Sequence, residues 1–558
     1  MQTAAQYARE AAALAAAGQD GEAAALYDRG MMRFPSDARL ANSAGNFHAR
    51  ARRDERALEY FERSLTLDPD FAEAAINAAI VLQRIGRPRA AEELLSSREA
   101  SLGGTARYWL LRSDNAKALG GFDAAANHLL RAERLEPGNP RAARQRARLR
   151  LERGEAGAVG EYESALQRDP GNFDLMEGYA LALQAAGQLE DAIDFAGALA
   201  SHFPQWTAGQ GLLAELRWAA RDPDYTGHFE AAAAAHPAPE IYLEWARLLS
   251  GNDSHAQAAE VLARGAERWP DDARLRLEQA VTLGEAGNPE DADAILSACP
   301  DEASRDWLLV RGRIDLALAR PDIAAIRLEK LVQADIGNVP AWSLLDLCWR
   351  LLDDRRHDWL HGRPELVREL ELPLSTGQLS GIRHILQGLH TTAAIPLAQS
   401  VKGGTQTQGA LFARPEPELA QLKEALGSVL ESYRQGLPPA DPAHPLLSQR
   451  DAPWMIAGSW SVRFDGNGRH AAHIHPRGLL SSACYIVVPP EVDDPGGPGW
   501  LELGRPPPGL APGLEPLHAI RPRPGTCALF PSTLFHGTRA LHAGERMTVA
   551  FDVAPLPA

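Results

Sequence analysis

Four cysteines in 558 residues, Cys299, Cys348, Cys484 and Cys527, are too few and too scattered to staple a fold. Their spacing excludes a disulfide framework and suits a reducing cytoplasm, so the expected location is cytoplasmic. Apolar runs are short as well. None approaches the ~18 residues of a bilayer-spanning helix, and no membrane span is expected. The alanine-rich start, Met1 to Asp20, is interrupted by Arg9 and Glu10, and no small-residue cleavage site follows an apolar block. It does not read as a signal peptide. Basic residues are in deficit, 57 Lys and Arg against 73 Asp and Glu, for a formal net charge of -16. That balance argues against binding nucleic acid or an anionic membrane non-specifically. The local run Arg141, Arg144, Arg146 and Arg148 reads as the solvated face of a helix.

What is present is ordinary soluble-protein composition, 45% hydrophobic and 23% charged, over a length too great for one core. Two ladders organise its first half. Pro35, Pro69, Pro137, Pro170, Pro204, Pro237 and Pro270 recur at 33–34 residues or twice that. Gly18, Gly86, Gly120, Gly154 and Gly187 keep the same period out of phase. Between them lie helical stretches rich in Ala, Leu, Glu and Arg. The spacing predicts one antiparallel helix pair per period. Glycine ends the first helix in a left-handed residue, and proline follows the second. A lone helix pair has no closed core, so neighbours must stack. The pattern resembles the tetratricopeptide repeat, carried by Ala57, Tyr60, Leu65, Leu67, Asp68 and Pro69 in one unit and by Phe122, Ala125, Ala132, Leu135, Glu136 and Pro137 in another. About ten units fit in residues 1–345. The units after Pro204 lose the glycine and read as irregular or capping. Such arrays usually present a concave surface to a peptide or protein, so a polypeptide partner is expected by resemblance. Trp109, Trp206, Trp218, Trp245 and Trp269 could line such a groove but read first as core.

After about residue 350 the texture changes. Residues 346–390 read as a connector and 391–558 as an all-β domain. Pro417 to Tyr433 reads as a helix, with Leu419, Leu422, Leu426 and Leu430 on one face. Short period-two runs follow at Ser459–Phe464, His473–His475, Ser481–Val488, Trp500–Leu503, Thr526–Phe530 and Arg546–Val553. The proline-rich Arg505–Pro516 reads as a long loop or flap. The expected fold class is therefore multidomain α plus all-β: an N-terminal α-solenoid followed by a double-stranded β-helix, or jelly roll.

Chemistry concentrates in that second part. His473 and His475 on a strand would face one way, His536 from a later strand could complete one face of a metal's coordination shell, and Arg546 could hold a carboxylate beside it. On an alternating strand Arg546, Thr548 and Ala550 face the interior, while Met547, Val549 and Phe551 pack outward. A buried guanidinium needs an anion, and a dicarboxylate fits its fork with the Thr548 hydroxyl as a further donor. A lone His-x-His is a weak signal; its specificity comes from His536 and Arg546. His470, His518 and His542 read as partly exposed strand residues, and Asp465 and Glu502 lack ligand spacing.

The segments Ser459–Arg463, His473–Gly478, Ser481–Tyr485, Leu529–Ser532, His536–Thr538 and Arg546–Asp552, with the run Gln399–Thr407, resemble the 2-oxoglutarate/iron(II)-dependent oxygenases of bacteria that carry N-terminal tetratricopeptide repeats. The resemblance implies His473, His475 and His536 as metal ligands and Arg546, Thr548 and Tyr485 as cosubstrate contacts. It also implies Fe(II), 2-oxoglutarate and O2 as cofactor and cosubstrates, and hydroxylation as the reaction. Most such enzymes have Asp where this chain has His475. Three neutral imidazoles leave a metal its full charge, and zinc or nickel would accept them at least as readily. Arg477 and the 505–516 loop lie where a substrate or lid could be controlled. Two other readings stand beside a protein hydroxylase: a non-catalytic metal-binding module on a scaffold, and a small-molecule oxygenase whose repeats serve assembly.

Overall fold

A residue with positive φ recurs every 32–34 positions at Gly18, Arg52, Gly86, Gly120, Gly154, Gly187, Arg221, Asp253, Gly287, Ala319 and Asp353. Each closes the turn after the first helix of a pair in a run of twenty-two helices, α1 (Ala4–Ala16) to α22 (Val339–Leu351). The N–H that follows donates to the carbonyl five residues back, as from Gln19 to Leu14 at 3.0 Å and from Arg320 to Asp315 at 2.8 Å. This is the Schellman closure, and it satisfies carbonyls that a helix end leaves orphaned. The units after Pro204 thus keep the turn although most have lost the glycine, so the expected irregularity does not extend to this turn. Ala319 holds φ 57° there. A left-handed alanine costs about 1–2 kcal/mol, of which glycine's extra entropy returns roughly half. Ala319→Gly is therefore expected to raise stability by about 0.5–1 kcal/mol, read as a higher denaturation midpoint at unchanged denaturant slope.

The computed structural model describes residues 2–301, 303–391, 397, 399–511 and 513–556. The chain forms two compact units, one of residues up to 149 with 164–170, the other of 150–163 with 171–555. The first is repeats alone, with Phe61, Ile76, Leu82, Leu95, Tyr108 and Leu110 in its core. Trp109 is buried there and Trp245 in the second unit, so both are core rather than groove.

The second unit holds the later repeats and two antiparallel sheets. The larger has six strands in the order β1 (Arg368–Glu371), β7 (Thr526–Pro531), β4 (Leu480–Val487), β9 (Glu545–Pro555), β3 (Trp454–His470) and β2 (Val401–Gln406). The smaller runs β6 (His518–Ile520), β5 (Leu501–Leu503) and β8 (His536–Thr538). Short β1, β2 and β6 carry little alternation of their own and escaped the sequence reading, which placed His536 on a later strand without giving β8 its bounds. The expected strand His473–His475 does not form; His473 alone makes a bridge, to His536.

Alternation sorts the larger sheet's two faces. Met547, Val549, Phe551 and Val553 of β9, Leu480, Cys484 and Ile486 of β4, and Cys527 and Leu529 of β7 pack against α24 (Thr376–Leu389) and α25 (Pro417–Gln435), which follow the short α23 (Arg356–Leu360). On the other face Ala528 and Phe530 meet Leu501 and Leu503 of the smaller sheet. The space between the sheets is where β9 directs Arg546 and Thr548.

The repeats within this unit also touch the sheet domain. Gln408 donates to Gln184 at 2.7 Å, Lys402 pairs with Asp253 at 2.9 Å, and Leu397 packs against the repeat cluster that contains Tyr242 and Trp245. Among the described residues no helix is long and apolar enough to cross a membrane. All four cysteines are free, with Cys484 and Cys527 opposite one another on β4 and β7.

Candidate metal centre

Three imidazoles meet between the sheets. His473 and His536 are cross-strand partners: the His473 N–H donates to the His536 carbonyl at 3.0 Å, and the reverse bond is 2.9 Å. This backbone pair, rather than strand alternation, brings the first and third histidines together. The His473 and His475 Nε2 atoms lie 3.1 Å apart, and the ligand atoms of His473, His475 and His536 all lie within 4.8 Å of one another. Each ring has its other nitrogen engaged. Nδ1 of His473 sits 2.8 Å from the Ala471 carbonyl, and Nδ1 of His536 sits 3.1 Å from the Leu534 carbonyl. Nδ1 of His475 meets the Asp552 carboxylate. Carbonyl and carboxylate oxygens can only accept, so in all three the proton belongs on Nδ1 and the lone pair on Nε2 faces the common point. Burial, with the neighbouring His475, pushes the His473 pKa down to about 4 and holds His536 well below its usual value. Neutral imidazole is the ligand form.

Asp552 was missed in the sequence. It continues the face that carries Arg546, Thr548 and Ala550, one alternation further along β9. The carboxylate absent from position 475 thus stands one bond further out. There it can draw the Nδ1 proton and strengthen His475 as a donor. Neither Asp465 nor Glu502 joins the cluster.

Arg546 is 1% exposed and its Nη1 donates to the Gly499 carbonyl at 2.7 Å. Its Nε has no hydrogen-bond partner, and neither does the buried Tyr485 hydroxyl. The guanidinium lies 5.6 Å from the Tyr485 ring centroid, and Tyr485 is in register with Thr548. Among the described residues no carboxylate pairs with Arg546, and burial pulls its pKa down. A buried cation with unspent donors next to an unpartnered hydroxyl is a cradle for an anion. The donor set therefore fits a divalent metal together with a small diacid.

The remaining expected positions lie apart. Arg477 is exposed. The 505–516 loop joins β5 to β6; Arg505 pairs with Glu502 and Glu515, Leu510 and Ala511 are buried, and Pro512 lies outside the described residues. A second cluster, Asp346, His357 and His361, was not singled out in the sequence.

Residues 458–552, which include all of the site's side chains, match the family model described as "Putative 2OG-Fe(II) oxygenase". The segment matches a 2-oxoglutarate/iron(II) oxygenase family. Residues 51–114 and 155–216 match the tetratricopeptide repeat. No curated relative matches the chain. Among solved structures, PilW, a widely conserved type IV pilus biogenesis factor, is 19% identical, with 38% of this chain and 99% of that chain covered at a TM-score of 0.36. MamA from Desulfovibrio magneticus RS-1 is 16% identical over 30% of this chain and 97% of that chain, at a TM-score of 0.28. YrrB, a tetratricopeptide repeat protein with an unusual peptide-binding site, is 19% identical over 30% and 91%, at a TM-score of 0.26.

Proposed function

We propose that the protein is an iron(II)- and 2-oxoglutarate-dependent oxygenase that hydroxylates a protein or peptide recruited by its repeats. The observation that carries this reading is the buried Arg546, with no counter-charge among the described residues, on the face of β9 that also carries Asp552, the partner of one of three convergent imidazoles. We read the two sheets as the two sides of a jelly roll, with His473, His475 and His536 as the metal ligands. When bound, iron(II) with 2-oxoglutarate supplies oxygen activation coupled to decarboxylation of the diacid, and hydroxylation of a substrate C–H. The chain's own residues do the rest. Arg546 grips the distal carboxylate, with the Tyr485 and Thr548 hydroxyls as added donors. The Ala471 and Leu534 carbonyls and Asp552 hold the imidazoles in one tautomer. The apolar residues between the sheets exclude water. The four free thiols suit a cytoplasmic location.

The assay is aerobic incubation of the full chain with iron(II) and 2-oxoglutarate, reading succinate. Slow uncoupled turnover is expected from the wild type and none from His473→Ala. Equal succinate from both would remove the reading. One observation favours a second reading, a small-molecule oxygenase with the repeats as scaffold. The contacts of Gln184 and Asp253 with the sheet domain occupy part of the array in cis.

A further inference from the structure

The last repeat helix reaches the turn that carries His536. On α22, Asp346 and Arg350 stand one helical turn apart on one face. Asp346 is 2% exposed, and its Oδ1 accepts from Nδ1 of His357 at 2.7 Å and of His361 at 2.8 Å. His361 Nε2 lies 2.8 Å from the Thr533 hydroxyl, so hydrogen bonds link Thr533 through His361 to Asp346. His361 is 1% and Thr533 5% exposed.

Thr533 sits in the β7–β8 turn, beside Leu534, whose carbonyl orients His536. The same helix clamps this turn from other sides. Phe535 and Ile474, neighbours of the three histidines in sequence, share an apolar cluster with Trp342, Leu345 and Trp349. Arg350 donates to the carbonyls of Gly504 and Glu515, and the Gly504 N–H donates to the Phe535 carbonyl at 2.6 Å. Metal sites need their ligands held to about 0.5 Å, and the three residues of β8 are paired to β5 and, through His536, to His473, so the turn before them completes the support.

We propose that Asp346 and His361 are positioning residues for the metal centre, by which the last repeat helix fixes the turn that presents His536. This rests on His473, His475 and His536 being metal ligands. It makes the repeats part of the site rather than an appendage. The competing use of Asp346, His357 and His361 as a metal site of their own is disfavoured. Both Nδ1 atoms are committed to Asp346, and the second His361 nitrogen is committed to Thr533.

The test is Co(II) titration of the full chain, followed by visible absorption, with melting measured in parallel without metal. Thr533→Val removes the hydroxyl at constant shape and is expected to weaken Co(II) binding about tenfold or more. Thr533→Ser should restore it; Thr533→Val, which leaves a buried His361 nitrogen unpaired, should melt somewhat lower without metal but stay folded at the titration temperature. Asp346→Asn should weaken binding at least as much; if it does not fold, the Thr533 pair decides. Binding by Thr533→Val within twofold of the wild type, with His536→Ala impaired, overturns the positioning role alone. Equal binding by wild type and His536→Ala overturns the metal assignment as well. Two Co(II) ions per chain, one of them retained in His536→Ala and lost in His357→Ala, would show the cluster to be a ligand set and overturn the proposal.

Discussion

Arg546→Met is expected to stabilise the protein alone and to abolish its response to 2-oxoglutarate. In the wild type the guanidinium is buried with, among the described residues, one carbonyl partner and no counter-charge. An uncompensated buried cation costs several kcal/mol, while the charged bond to Gly499 returns about 1.5–3 kcal/mol. Methionine is similar in length, apolar and adaptable. The metal-free, diacid-free variant should therefore be more stable by about 1–3 kcal/mol, read in denaturant melts. The same change removes the cation proposed to grip the distal carboxylate. With Co(II) present, 2-oxoglutarate at a hundredfold over its Kd should stabilise the wild type by about 2.7 kcal/mol and leave Arg546→Met unmoved. A variant that is less stable when empty, or that still responds to the diacid, would show that Arg546 is a structural residue with a partner of its own.

The second large effect concerns the metal, and it should be graded with distance. Four-ligand structural zinc sites bind with about 10–16 kcal/mol, roughly 3–4 kcal/mol per ligand, so losing one imidazole should cost on the order of a hundred- to a thousandfold in affinity. His536→Ala should show that loss in Co(II) binding. Asp552→Asn keeps all three imidazoles and changes only the partner of His475, so it should cost about 10–100-fold. If Asp552→Asn equals His536→Ala, the carboxylate itself must reach the metal. If it equals the wild type, the bond to His475 does not tune the site. The Asp552 result also bears on the chain's departure from the His/Asp/His ligand set, because it measures how far an outer carboxylate makes up for the one missing at position 475.

Features that depend on local rules were legible from the chain. The 33–34 residue period exposes the helix pairs because a left-handed turn residue and a helix-ending proline recur at fixed offsets. The faces of β9 could be read because side chains alternate, and the same rule extended by one step reaches Asp552. The closeness of His473 and His475 was also legible, though not for the reason the sequence offered. They are not on a strand, and the bridge between His473 and His536 depends on two segments more than sixty residues apart. Short strands such as β1 and β8 carry too few side chains to show a period, and neighbours stabilise them. The link from Asp346 through His361 to Thr533 spans nearly two hundred residues and three structural contexts. Periodicity and spacing carry no information about such a contact, because it exists only once the solenoid's last helix packs against the turn that presents His536. Local chemistry written along the chain determined which residues could bind a metal and an anion; tertiary packing alone decided which carboxylates support them and from which helix.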